Sequence, residues 1–180
     1  MNKIIAYTDG SAVVKGARKG NGGFATYFPN LYGSKKAFSL GFKDTKTGRM
    51  ELTALYYAIT SIRLNEPVKL VVYSDSEYVV KSFTLNRLEK WIAAGWKNTS
   101  GDVKNQDIWK EIVIEISNRP YMVLEMIHIR SHQVEKEKDL VKREALLKDP
   151  NIIGNMVADR LADYKRHKKL NNSDKLLPST

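Results

Sequence analysis

The sequence predicts an α/β fold, and three observations carry that prediction. Lys3 to Thr8, reading Lys-Ile-Ile-Ala-Tyr-Thr, is apolar and short enough for a buried strand, and Gly10-Ser11 behind it is a breaking signal, so Asp9 falls at a strand's carboxyl end. Val68-Lys-Leu-Val-Val-Tyr73 repeats the design between Pro67 and Ser74-Asp75-Ser76, which gives Asp75 an equivalent place. In Arg49 to Ile62 the spacing of Glu51, Leu55, Ala58 and Ile62 follows one helical face. Open sheets with parallel strands hold their ligand crevice outside the carboxyl ends of those strands, so Asp9 and Asp75 are expected to share one.

Taken in order, strands are expected near 3–9, 22–28 and 36–42, followed by a helix near 49–63 and a strand near 68–73. Ser74-Asp-Ser also opens a helix, near 76–85, with further helices near 87–94 and 104–118. A strand near 121–129 and a helix near 152–169 complete the set. The face that carries Glu51 is otherwise apolar, which aims its carboxylate at the core or its edge. Asn155, Asp159 and Ala162 share a face of the last helix at i, i+4 and i+7, and the same expectation holds for Asp159.

An aspartate at a strand end is more often a turn or cap residue than a ligand. Four acids in one crevice are different, because gathered carboxylates repel one another and are costly to ionise without a counter-charge. The usual counter-charge is a divalent cation, and Asp9, Glu51, Asp75 and Asp159 together read as a two-metal phosphodiester site. Hard oxygen ligands suit Mg²⁺ or Mn²⁺, while the absence of cysteine and the presence of only 3 histidines argue against zinc or iron–sulfur chemistry.

Six strings, Tyr7-Thr-Asp-Gly-Ser11, Gly22-Gly-Phe24, Arg49-Met-Glu-Leu52, Tyr73-Ser-Asp-Ser-Glu-Tyr78, Ser131-His132 and Gly154-Asn-Met-Val-Ala-Asp-Arg-Leu-Ala162, resemble type 1 ribonuclease H in order, over residues 3 to 165. The resemblance implies an RNase H fold, a five-stranded mixed sheet flanked by helices with a helical basic protrusion. It also implies a reaction, hydrolysis of the RNA strand of an RNA–DNA hybrid to leave a 5′-phosphate. Two Mg²⁺ ions, with Mn²⁺ substituting, would serve it, about 4 Å apart in sites of this kind. Carried over, Asp9 bridges both ions, Glu51 and Asp75 take one side, and Asp159 takes the other. Glu51 would also contact the RNA 2′-hydroxyl, the group that distinguishes RNA from DNA. His132 would be a mobile histidine that assists proton transfer or product release, a role suited to an imidazole titrating near neutral pH. The implied substrate surface covers Gly10, Ser11, Thr47, Gly48, Arg49, Glu77, Lys90, Trp91, Lys97, Lys104 and Asn155.

Several positions depart from the family pattern. Thr47-Gly48 stands where two asparagines often read the minor groove, Glu77 where glutamine is common, and Ile92-Ala93-Ala94 where basic residues are common. A glutamate near phosphate repels it unless neutralised by lysine or metal. Residues 133–151 exceed what a compact loop needs and read as a short charged helix ending before Pro150 or as a flexible lid. Trp91, Trp96 and Trp109 either build a small satellite core or offer an aromatic surface, with packing the better reading for at least two. His128 reads as structural and His167 as solvent-facing.

The chain's 180 residues suffice for one good core, so residues 1–170 are expected to form a single catalytic domain and 171–180 a flexible tail, with Lys165 to Lys169 fraying before it. A net charge of +10 fits a polyanionic partner. Without cysteine, signal peptide or long apolar segment, the default is a cytoplasmic monomer that does not engage membranes. Two other classes fit parts of the pattern: a related two-metal DNA nuclease of resolvase or integrase type, and a nucleic-acid-binding module without turnover.

Overall fold

The computed structural model describes residues 1–13, 20–167 and 170–171. In chain order the elements are β1 (Asn2–Ala12), β2 (Gly20–Leu31), β3 (Ser34–Thr45), α1 (Thr47–Thr60), β4 (Val68–Ser74), α2 (Glu77–Thr84), α3 (Arg87–Ala93), β5 (Lys97–Asn98), β6 (Gly101–Asp102), α4 (Gln106–Ser117), β7 (Met122–His128), α5 (Gln133–Lys136), α6 (Leu140–Leu146), α7 (Pro150–His167) and β8 (Leu170–Asn171). The main sheet runs β7-β4-β1-β2-β3-β8. Its five long strands form the mixed sheet flanked by helices that the sequence predicts. The two-residue β8, which pairs parallel to Gly41 and Phe42, is an addition to it.

Register explains where the acids fall. β1 pairs parallel with β4 as far as Thr8 opposite Ser74, so Asp9 and Asp75 each come one residue past the last rung. Asp9 does not end its strand, however. Antiparallel pairing with β2 continues through Gly10, Ser11 and Ala12, opposite Phe24, Gly23 and Gly22. Gly10-Ser11 is therefore not a break, and the glycine has another purpose. A Cβ at Gly10 would overlap the backbone of Met50 and Glu51, so only glycine lets β1 lie directly against the start of α1.

Side chains alternate along β1. Ala6 faces the core shared with α1, where Leu52, Leu55, Ile59, Leu70 and Trp109 are fully enclosed. Burying each large side chain of this kind stabilises the fold by roughly 1.5–3 kcal/mol. Tyr7 faces the other way, onto α7, where its ring occupies the space that a Cβ on Gly154 would need. The helix is pinned to β1 at both ends: Tyr7 Oη donates to Asn151 Oδ1 at 3.0 Å, and Arg166 Nη1 donates to Ser11 Oγ at 2.8 Å.

Three expectations need adjustment. The last helix starts at Pro150, because proline is pre-organised for a first helical position and has no N–H to leave unpaired there. It does not fray from Lys165 onward: Arg166 is held by Ser11 and also pairs with Asp163. The tail beyond Asn171, like Lys168 and Lys169, lies outside the described residues. Residues 133–151 make two short helices, because Asp139 caps α6 by accepting from Lys142 N at 3.0 Å, while Val134, Ile129 and Ile152 form a small core flanked by Leu146.

The protrusion packs on itself. Trp109 is fully buried, Trp91 lies 5.7 Å from it between ring centroids, and Trp96 is partly buried against the same core. Asn105, at φ 56°, turns the chain from the β5–β6 hairpin into α4.

Candidate active site

Three carboxylates meet where β1, α1 and β4 converge. Asp9, Glu51 and Asp75 each offer an oxygen, and these oxygens lie within 4.8 Å of one another. Asp9 and Glu51 are buried, at 5% and 6% exposure, and Asp75 is partly buried. Local structure fixes each of them: Asp9 and Asp75 by register, and Glu51 because Gly10 admits the first turn of α1.

The electrostatics follow from burial and like charge. Burial pushes the Asp9 carboxyl well above its ordinary range, and the Asp75 and Asp159 charges push it further. A hydrogen bond between the Asp9 and Asp75 carboxyls raises Asp9 further, whereas the Gly10 N–H works in the opposite direction. Glu51 is likewise pushed well up, first by burial, then by Asp9 and Asp75. Asp75 is raised by burial and by Asp159, with His132 opposing. The fold has gathered acids that it does not itself neutralise.

Asp159 stands at the rim. The expectation that its carboxylate faces the core or its edge holds at the edge: the side chain keeps 35% exposure and faces His132. Burial raises its pKa, and the His132 charge lowers it. His132 Nδ1 lies 3.9 Å from Asp159 Oδ2, and the imidazole is half exposed. The residue has a left-handed backbone, φ 54°, at the turn leading into α5.

The donor set suits a hard divalent cation. Glu51 Oε2 is buried with no hydrogen-bond partner among the described residues, an arrangement that costs free energy unless something positive meets it. All the converging groups are oxygen donors.

The RNase H family model matches residues 1–166. The chain belongs to the RNase H family. A Ribonuclease H of Lachnoclostridium phytofermentans is 37% identical over 116 residues, which cover 62% of this chain and 71% of that protein. Among solved structures, LC11-RNase H1 in complex with RNA/DNA hybrid superposes with a TM-score of 0.56 at 18% identity, covering 89% of this chain and 94% of that one. A foamy viral protease–reverse transcriptase in complex with RNA/DNA hybrid superposes at 0.64 with 19% identity over 91% of this chain, which spans only 20% of the viral protein. At such identities these two structures speak for the fold.

Within this RNase H the other expected site residues divide by location. Thr47, Gly48 and Arg49 at the start of α1 join Lys104 and Asn105 along a groove of about 780 Å³ that reaches Glu51 and Asp75. Lys90 and Lys97 are exposed on α3 and β5 and do not line that groove, and Trp91 is engaged with Tyr78 and Trp109. Gly10 is enclosed against α1, and Ser11 Oγ accepts from Arg166. Asn155, one turn before Asp159, is buried, and its Oδ1 has no partner among the described residues. Glu77 is exposed and paired with Lys81 one turn on, so its charge is already neutralised.

Sequence reasoning overlooked Asp107, which grips Arg49 through both guanidinium Nη atoms at 3.0 and 2.6 Å. That pair ties α4 to the helix carrying Glu51. Its only sequence signal is an acid in the first turn of a helix, which also reads as ordinary dipole complementation.

Proposed function

We propose that this RNase H cleaves the RNA strand of RNA–DNA hybrids and releases 5′-phosphate ends, with Asp9, Glu51, Asp75 and Asp159 holding two Mg²⁺ ions. Mn²⁺ is the expected substitute. The observation that carries the reading is the convergence of three carboxylate oxygens within 4.8 Å, with Oε2 of one of those carboxylates, Glu51, buried and orphaned. When bound, such cations lower the pKa of an attacking water and stabilise the leaving oxygen.

The protein's own groups do the rest. Asp9 and Glu51, both buried, would hold the cations against which the reacting phosphate is positioned. Glu51, at the end of the groove that begins at Thr47 and Lys104, is placed to accept a 2′-hydroxyl of the strand lying there. His132 would receive or return a proton as the product leaves, a reading supported by its half-exposed position beside Asp159. Lys104 on that groove and the exposed Lys90 and Lys97 beside it supply phosphate contacts on the partner strand. Gly10, Ser11, Thr47, Gly48, Arg49 and Asn155 shape the same surface, with Glu77 and Trp91 at its margin.

We also take residues 1–170 as one catalytic domain that works as a monomer in the cytoplasm. No described helix is long and apolar enough to cross a membrane, and the net charge of +10 suits a polyanionic duplex.

The test is cleavage of a labelled hybrid beside matched RNA and DNA duplexes, with Mg²⁺, with Mn²⁺ and with chelator. Cutting of the RNA strand of the hybrid alone, abolished by chelation and by 2′-O-methyl sugars at the cleavage point, is the expected result. Equal cutting of the DNA duplex would replace this reading with the resolvase type. Metal-independent binding without any cleavage would replace it with the binding module.

A further inference from the structure

Asp75 stands between two grooves. One, described above, runs toward Thr47 and Lys104. The other, of about 570 Å³, leaves Asp75 past Glu77 and is walled by Arg130, Lys136, Glu137 and Leu146. We propose that this second groove carries the continuation of the cleaved strand, and that Arg130 and Lys136 hold its backbone phosphates. The inference rests on the hybrid-nuclease reading and extends it to a part of the surface that the motifs do not reach.

Geometry supplies the first argument. A polynucleotide whose scissile phosphate sits at Asp75 must leave the site in two directions, and the first groove accounts for one. The second groove shares only Asp75 with the first and is otherwise walled by different residues, so it offers the other direction.

Charge supplies the second. Among the described residues the Arg130 guanidinium and the Lys136 ammonium have no ion pair and no hydrogen bond. The groove's acids are differently placed. Glu77 pairs with Lys81, and Glu137 Oε1 accepts the Asp139 N–H at 2.9 Å. Asp75 belongs to the acid cluster already described and Glu137 keeps its charge, so the wall is mixed, with Arg130 and Lys136 as the cations on it that are able to meet an anion. A guanidinium matches a phosphate through two parallel N–H bonds, and an ammonium serves as a point charge beside it.

The third argument is construction. Gln133 Nε2 donates to the Arg130 carbonyl at 2.9 Å, bracing the turn between β7 and α5, and Val134 anchors α5 in its small core. Lys136 is thus presented from a fixed helix. The helices α5 and α6 occupy the stretch whose length departs from the family pattern. They supply a cationic wall in a chain whose protrusion carries Ile92-Ala93-Ala94 instead of basic residues.

The experiment measures affinity of the metal-free protein for hybrid as a function of salt, with Arg130→Ala/Lys136→Ala beside wild type and with Lys142→Ala, an exposed lysine outside the groove, as control. Loss of two phosphate contacts should reduce the slope of log affinity against log salt by about two, so that raising salt from about 50 to 200 mM costs the double variant roughly tenfold less affinity than wild type. Shortening the hybrid from one end should remove the difference between the two proteins, and shortening it from the other should keep it. An unchanged slope, an equal change in Lys142→Ala, or a difference indifferent to which end is removed would each overturn the groove. Failure of wild-type protein to cut hybrid with Mg²⁺ would instead overturn the nuclease reading beneath it.

Discussion

His132 and Asp159 face each other across the rim of the acid cluster, Nδ1 to Oδ2 at 3.9 Å. They arrive from different elements, the turn before α5 and the middle of α7, and each biases the other. The imidazolium eases ionisation of Asp159 and of Asp75. The separation exceeds a hydrogen bond, so the pair couples through charge and leaves the imidazole proton free for exchange.

Replacing His132 by alanine should therefore lower the rate at saturating hybrid by roughly 100-fold, within the usual contribution of a positioned acid or base, and should change KM little. The dependence of the rate on pH should change with it. Steady-state kinetics between pH 5 and 9 would decide the matter, and an unaltered profile would make His132 a bystander.

The acid cluster makes metal-free stability depend on pH with a definite sign. Asp9, Glu51 and Asp75 have folded-state pKa values above their ordinary ones, so the folded chain binds protons more tightly than the unfolded chain. Their contribution is present in full below the ordinary carboxylate range, near 4, and is lost as pH rises through the raised values. Thermal unfolding in chelator should show a falling melting temperature from about pH 4 upward, and Mg²⁺ should restore it by binding only the folded state. Asp9→Asn should raise the metal-free melting temperature at neutral pH and remove most of the response to Mg²⁺. A metal-free protein equally stable at pH 4 and pH 7 would contradict the account.

At Gly10 a single methyl should separate stability from activity. Gly10→Ala forces β1 away from the Met50–Glu51 backbone, at a cost of about 1–3 kcal/mol in an overpacked site. Because the displacement moves Asp9 relative to Glu51, cleavage should fall by far more than the unfolded fraction explains. Denaturant unfolding and hybrid cleavage on one preparation would show it, and parallel losses would count against the close approach.

Much of this was legible in the residues. Apolar runs, helical periodicity and the strings around each acid fix which elements form and which face carries Glu51, since those signals are local. The convergence is not local. It depends on Gly10 admitting α1 and on Gly154 admitting the Tyr7 ring, and a glycine within a strand or helix reads equally as a break or a weakness. The grip of Asp107 on Arg49 and of Arg166 on Ser11 was hidden for the same reason, because nothing in a single sequence pairs residues so far apart. Periodicity assigned Asp159 to the face at the core's edge, but it could not say that His132 would stand opposite it.

The clamping of α7 onto β1 has a consequence for the order in which the molecule becomes dangerous to its substrates. Its two fastenings join residues 144 and 155 positions apart, contacts that a growing chain can make only after α7 has been synthesised. Until α7 docks, Asp9, Glu51 and Asp75 have no Asp159 beside them, and Tyr7 has no helix to lie against. The full set of four acids therefore comes together only with the docking of α7, so assembly of the site and closing of the fold are one event.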